Sequence, residues 1–371
     1  MTHSSHTPLP WIARPRAAHW NCPAPPDDVP AFHRSVPGYE PTPLVEVPGL
    51  AVEWGVRRVV VKDESARLGL PAFKALGVFY AVYQVVRDRV GPRLAPTDFA
   101  SLQATVPRME RLTLVTATDG NHGRALAHIA RRLGLPCRVF VPDVVETSQI
   151  DAIRDEGAHV VVLPENYDRT VEIAAKDAAE PGAVLVQDTA WPGYESIPQY
   201  IVNGYSTMFS EIDDQLGPDK PSLVVTPMGV GSLAQAVVTH AKSRPHRVAV
   251  LGAEPDTAGC VLASLQAGEP VTVATGKTAM AGLNCGTPSH LAWPYLRQGL
   301  DASALVTDGQ ALAAAEPLHA AGVSAGPCGA ATVPAVRTVL DSVGGREALG
   351  LDETSVVVLL STERHRSSAA A

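Results

Sequence analysis

Residues 112–163 read LTLVTATDGNHGRALAHIARRLGLPCRVFVPDVVETSQIDAIRDEGAHVVVL. The apolar run Leu112–Thr116 predicts a strand, and Gly123 to Leu133 carries apolar residues at helical spacing before Gly134 stops it. Cys137–Val141 predicts a second strand closed by Pro142. Ile150 to Glu156 predicts a helix ending at Gly157, and His159–Leu163 a third strand. Short runs that are apolar at every position suit strands buried on both faces, and one helix between each pair makes them parallel. The alternation extends outward in both directions. Val59–Val61, Ala183–Gln187, Ser222–Thr226, Val248–Ala253 and Ser355–Leu360 read as strands, with helices at Thr170–Ala178 and Leu233–Lys242. The predicted fold class is α/β, with parallel-rich sheets flanked by helices. At 371 residues the chain exceeds one ordinary domain and is expected to form two.

Bulk properties narrow the function. A net charge of −8 argues against nucleic acid or an anionic membrane surface as partner, and only 5% aromatic residues argues against base-stacking platforms. No apolar run is long enough to span a bilayer, and Met1 to Trp20 has no apolar leader core, so the expected location is cytoplasmic. The five cysteines form no CxxC pair, which suits reduced thiols. His122 and His128 are six residues apart and no HExxH is present, so no metal site is expected. Residues 1–40 are Pro-rich and aperiodic, an extended arm in this reading, and Pro92 to Pro107 reads as a loop.

Five stretches could carry chemistry. In Gly69-Leu70-Pro71-Ala72-Phe73-Lys74-Ala75-Leu76-Gly77, a single lysine opens a helix among apolar neighbours. Burial and the positive end of the helix dipole would both lower its pKa, as a nucleophilic lysine needs; a snorkelling surface lysine is the plain alternative. Thr116-Ala117-Thr118-Asp119-Gly120-Asn121-His122-Gly123 joins a strand to a helix, which suits a carboxylate ligand or a merely capped turn. Gly229-Val230-Gly231-Ser232-Leu233 also lies between strand and helix and could cradle a phosphate. With Ala234 it satisfies G-x-G-x-x-A, and Glu254 stands roughly where a ribose-binding acid belongs. A dinucleotide-dependent oxidoreductase built on Gly229–Ser232 and Glu254 therefore remains open. Asp188, in the Gln187–Glu195 loop, and Ser361, in Ser361-Thr362-Glu363, each end a strand, where catalytic groups and structural caps are both common.

These stretches occur in an order that resembles the fold-type II pyridoxal-phosphate enzymes, the group of tryptophan synthase β and threonine dehydratase. Within it they look most like the diaminopropionate ammonia-lyases. The matching segments are KDESARLGLPAFKALG (62–77), TATDGNHGRALA (116–127), QDTAWPGYESIPQYIVNGYSTM (187–208), MGVGSLA (228–234) and MAGLNCG (280–286). The resemblance implies pyridoxal 5′-phosphate held covalently by Lys74, its ring flanked by Phe73 and its phenolic oxygen bonded by Asn121. Its phosphate would lie on Gly229, Val230, Gly231, Ser232 and Leu233, and Ser361 would face the pyridine nitrogen. The substrate carboxylate would rest against Thr118, Asp119, Gly120, Asn121 and His122.

Asp119 and Asp188 separate this group from the hydroxy-amino-acid dehydratases. A β-amine leaves as the ammonium, and two carboxylates near the β-carbon would hold it so and move protons. The implied reaction is α,β-elimination of 2,3-diaminopropionate to pyruvate and two ammonia through an aminoacrylate. Lys74 would take the α-proton from one enantiomer and Asp119 from the other. A β-eliminase or β-replacement enzyme on another β-substituted alanine, or a non-catalytic binding protein that keeps the pocket, are the other readings. The resemblance further implies a homodimer, a Cys260–Cys285 disulfide near the active-site entrance, a small domain of residues 74–205 and a large one of 1–73 plus 206–371. Departures from the group's pattern are Arg364-His365-Arg366 after Glu363, Cys328 in Gly326-Pro327-Cys328-Gly329, and Leu68 and Pro71 near the lysine.

Overall fold

The computed structural model describes residues 10–365. The first nine residues of the expected arm, Arg366 and the Ser/Ala tail lie outside the described residues. Among the described residues eleven strands form two sheets. In chain order they are β1 (Trp11–Ala13), β2 (Leu44–Glu46), β3 (Arg58–Asp63), β4 (Thr113–Ala117), β5 (Cys137–Pro142) and β6 (His159–Leu163). They continue with β7 (Ala183–Leu185), β8 (Leu223–Pro227), β9 (Ala249–Pro255), β10 (Ala302–Val306) and β11 (Val356–Ser361). One sheet runs β1-β10-β9-β8-β11-β3-β2 and the other β6-β5-β4-β7. The four-stranded sheet is parallel throughout, and in the larger sheet only the edge strands β1 and β2 are antiparallel. In the larger sheet the central apolar runs are buried on both faces, every residue of β8, β9 and β11 being buried, whereas the apolar run of β6, at the edge of the smaller sheet, is not. Both chain ends feed the larger sheet, and residues 113–185 supply the smaller.

Between β3 and β4 in the chain comes a helix, Lys74–Val90, whose residues from Ala75 to Val86 are buried except Gln84. It crosses the Ser196–Gly204 helix backbone to backbone. A Cβ on Gly204 would stand 2.6 Å from the Leu76 carbonyl oxygen and 2.7 Å from Gly77 Cα. That crossing fixes where Lys74 sits. Gly→Ala in a helix normally stabilises by about 1 kcal/mol, but here the contact is with rigid backbone, so overpacking outweighs propensity. Gly204→Ala is expected to lose about 3 kcal/mol in urea unfolding; a variant as stable as the parent would show that the two helices can part without cost.

The polar stretch after β3 is not a solvated turn. Arg67 is fully buried between Glu64 and Glu211, 2.6 Å from each, and Lys62 Nζ lies 2.6 Å from Glu211 Oε2. Buried charges persist only when paired, and this network ties the loop leading to Lys74 onto the Ser206–Leu216 helix. The described part of the expected arm, from residue 10 on, is structured too. Trp11–Ala13 pairs with β10, Val29–Arg34 is helical, and buried His33 donates from Nε2 to the Leu76 carbonyl while accepting from Thr207 at Nδ1. Inside the expected 92–107 loop, Phe99–Thr105 is a helix opened by a capping box between Asp98 and Ser101. Its only buried side chains are Phe99 and Leu102, too few to make a visible period.

Candidate active site

At the carboxyl ends of β4, β8 and β11 one cavity gathers residues far apart in the chain. Phe73, Lys74, Asp119, Asn121, Asp188, the whole run Gly229–Leu233, Thr362 and Glu363 all line it. Lys74 is the first residue of its helix, and its Nζ donates to Asp188 Oδ2 at 2.5 Å. Burial alone would lower the lysine pKa, but the Asp188 charge and hydrogen bond outweigh it and hold the amine protonated, well above its ordinary range. The expectation of a depressed lysine pKa is corrected here. The counter-ion lies 114 residues away in sequence and is brought beside Lys74 only by the fold. Asp188 is correspondingly held down to about 2: burial would raise it, and the Lys74 charge wins.

Asp119 behaves oppositely. Burial pushes its carboxyl up to about 6, with the lysine pulling it down and the Asp188 charge adding to the rise. Two carboxyl groups beside one amine, pushed apart in acidity, give one fixed anion and one group able to exchange a proton near neutrality. Gly120, at φ +149°, turns the chain between Asp119 and the helix Asn121–Leu133 in a conformation that side chains rarely adopt.

The remaining residues of that loop divide. Thr118 is buried behind it, its hydroxyl accepting from the Gly120 and Gly123 amides at 2.9 and 3.1 Å. His122 donates from Nε2 to the Val186 carbonyl and leaves a buried Nδ1 without a hydrogen bond, 3.7 Å from Asp188 Oδ2. Neither Thr118 nor His122 lines the cavity, whereas Asp119 and Asn121 do. Asn121 Nδ2 donates to Glu363 Oε2 at 2.6 Å.

The glycine loop leads from β8 into the helix Ser232–Lys242. Gly231 has φ +99°, and a Cβ there would meet Leu296 Cδ1 at 2.5 Å. The first turn of a helix has amides without intrahelical partners, and here they open toward the cavity wall. Ser232 Oγ donates to the Asp188 carbonyl at 2.6 Å, tying this loop to the acid. Ser361 is fully buried and its hydroxyl has no partner.

Two expectations fail at this point. Glu254 is fully buried and accepts from the Val261 and Leu262 amides and the Ser303 hydroxyl at 2.7, 2.8 and 3.1 Å, so it caps the Cys260–Ala267 helix and has no reach to a ribose. Cys260 and Cys285 are free thiols, both resting against Gly229, and no disulfide joins them. Cys260 Sγ faces the Gly229 carbonyl at 3.8 Å, and burial pushes the Cys285 thiol up to about 12, which disfavours the thiolate needed for exchange. Among the described residues no group of three or more His, Cys, Asp or Glu could hold a metal ion.

A family model described as pyridoxal-phosphate dependent enzyme matches residues 36–363. The chain belongs to this pyridoxal-phosphate-dependent enzyme family. It is 35% identical over 356 residues to the diaminopropionate ammonia-lyase of Salmonella typhimurium, covering 91% of this chain and 88% of that protein. Among solved structures it is similar to Escherichia coli diaminopropionate ammonia-lyase in complex with D-serine, with TM-score 0.83, 32% identity and coverage of 96% and 90% of the two chains. The same lyase in complex with an aminoacrylate–PLP azomethine reaction intermediate matches with TM-score 0.78 and 31% identity, over 98% and 91% of the chains.

The site fits the family's cofactor on observations of its own. A helix N-terminus preceded by glycines suits a phosphate and lines the same cavity as the Lys74 amine; the orphaned hydroxyl of Ser361, which lies behind that wall beside the lining residue Thr362, suits a ring nitrogen. One lining residue carried no sequence signal. Tyr167 reaches the cavity through its hydroxyl, which accepts from Gln187 Nε2 at 2.9 Å. Gly282, Asn284 and Cys328 complete the wall. Glu363 was in view as part of the terminal motif, but its grip on Asn121 across 242 residues was not.

Proposed function

We propose that this chain eliminates ammonia from 2,3-diaminopropionate, yielding pyruvate and two ammonia. The observation that carries this reading is the pair of carboxyl groups, Asp119 and Asp188, set beside Lys74 in a cavity backed by the glycine loop. A hydroxy-amino acid needs no such pair, whereas a β-ammonium needs anions to hold it protonated until it leaves.

Lys74 would hold the pyridoxal phosphate, residues 229–233 its phosphate, Asn121 its phenolic oxygen and Ser361 its ring nitrogen, with Phe73 beside the ring. When bound, the cofactor supplies an electron sink for the α-carbon. The residues do the rest. Lys74 acts as a base only as its neutral amine, with Asp188 orienting it and stabilising the ammonium formed when it takes the α-proton of one enantiomer; Asp119 would take that of the other. The anionic wall retains the β-ammonium as the leaving group, and the released aminoacrylate hydrolyses to pyruvate and the second ammonia. We also infer a substrate loop carried on a smaller lobe, residues 74–205, against a larger one of 1–73 plus 206–371, and a cytoplasmic homodimer as the working form.

The test is pyruvate release from D- and L-2,3-diaminopropionate by the cofactor-loaded protein, with serine and threonine as controls. Fast release from either diaminopropionate enantiomer and little from the controls is expected. Absence of pyruvate from both enantiomers, with the cofactor bound, would overturn the substrate and leave another β-substituted alanine. Asp188→Asn is expected to lower kcat by about 100-fold with the cofactor retained, because the lysine loses its fixed counter-ion. Unchanged kinetics in that variant would make Asp188 structural.

A further inference from the structure

A second cavity, of about 270 Å³, adjoins the first, and Asn121 and Glu363 line both. Lys74, Asp119 and the glycine loop take no part in it. Its polar wall comes from the outer side of the Gly120–Asn121 turn, from the Thr147–Asp155 helix and from the segment after β11, which contributes Arg364 and His365. Arg364 and His365 belong to the segment after Glu363 in which this chain departs from the pattern of the group it resembles.

Two polar atoms on this wall, Arg124 Nε and Gln149 Oε1, are buried without a hydrogen-bond partner. Arg124 Nε comes no nearer than 3.7 Å to the Glu156 carboxylate. Arg364 spends one donor, Nε, on the Ser65 carbonyl at 3.2 Å. Buried polar groups left unpaired are costly, so a cavity that collects them is suited to a ligand that pairs them. The sign of that ligand follows from the charges. Arg124 and Arg364 face the carboxylate of Glu363; Glu156, behind Arg124, is shared with Arg131 at 2.7 Å, so three guanidiniums stand against two carboxylates, and the N-terminal end of the Asn121–Leu133 helix adds a partial positive charge. One negative charge is balanced there, whereas a phosphate dianion would leave an excess. Guanidiniums match a carboxylate with paired N–H donors, and Pro71 and Ala152 supply an apolar flank for a short alkyl group.

We infer that this cavity binds a small monocarboxylate of the 2-oxo-acid type, held between Arg124 and Arg364 beyond Asn121. The assignment to a 2-oxo acid rests on the elimination proposed above, which releases one; the anion site itself does not. Since the two cavities share Asn121 and Glu363, the product has a binding station outside the reacting centre.

Binding of pyruvate to the cofactor-loaded full chain, followed by saturation-transfer NMR, tests this without relying on turnover. Saturable binding is expected. The double variant Arg124→Gln/Arg364→Gln should weaken it by about tenfold or more, leaving cofactor absorption and the KM for diaminopropionate within about twofold. No saturable binding, or equal affinity in the double variant, would overturn the site. Inorganic phosphate binding as tightly as pyruvate, and through the same arginines, would overturn the carboxylate assignment. Arginine-dependent pyruvate binding in a protein that does not turn over diaminopropionate would keep the site and sink the proposed substrate. Turnover without such binding would do the reverse.

Discussion

Lys74→Ala is expected to give a folded protein without the absorption band of bound cofactor and without measurable pyruvate release. Alanine is the best helix former, so the Lys74–Val90 helix persists. What disappears is the one amine that lines the cavity among the described residues, and removal of such a nucleophile costs at least about 10³-fold in kcat. The substitution also strips Asp188, buried at the cavity wall, of its cation. The pH dependence of stability separates that loss from simple misfolding, with both proteins compared free of cofactor. The folded-state pKa of Asp188, about 2, lies below the ordinary carboxyl value of 3.8, so the carboxylate stabilises the fold above about pH 4 and that contribution is lost as pH falls toward 2. The stability gap between parent and variant should therefore be full at neutral pH and close in acid, measured by urea unfolding at several pH values. A coloured, active Lys74→Ala protein would sink the cofactor assignment, and a gap independent of pH would sink the ion-pair account.

Asp119→Asn should divide the two enantiomers of diaminopropionate. If Asp119 removes the α-proton from one of them only, kcat/KM for that enantiomer falls by about 100-fold or more while the other changes little. The pH profile adds a second readout. A base acts as its carboxylate, and this one titrates at about 6, so turnover of the affected enantiomer should rise as pH climbs through 6 and level above it. In the asparagine variant that limb should vanish, and the profile of the other enantiomer should stay as it was. Equal losses for both enantiomers would remove the stereospecific role and leave Asp119 as a shared electrostatic support.

The electrostatics of the site were the least legible part in advance. Lys74 at the start of a buried helix invites the inference of a lowered pKa, and every local feature supports it; a single partner, Asp188, reverses the sign. Glu254 and Ser361 show the same limit. Both end apolar strands, yet one is consumed by the amides of the following helix and the other is left buried without a partner. The helix at Phe99–Thr105 escaped notice because it buries too few residues to show a period, and strand β10, Ala302–Val306, because its residues are small.

By itself the amino-acid sequence determined the α/β class, the parallel strands, the helix that Lys74 opens, and the glycine and Asp-Gly-Asn loops at strand ends. These follow from apolar periodicity and from glycine and proline as local punctuation, and both act over a few residues. Tertiary structure alone decided that Asp188 pairs with Lys74, that Asn121 is gripped by Glu363, and that Arg124 and Arg364 face one cavity. Such pairings join residues a hundred or more positions apart, and their energies depend on distance and burial, which exist only once the sheets have packed.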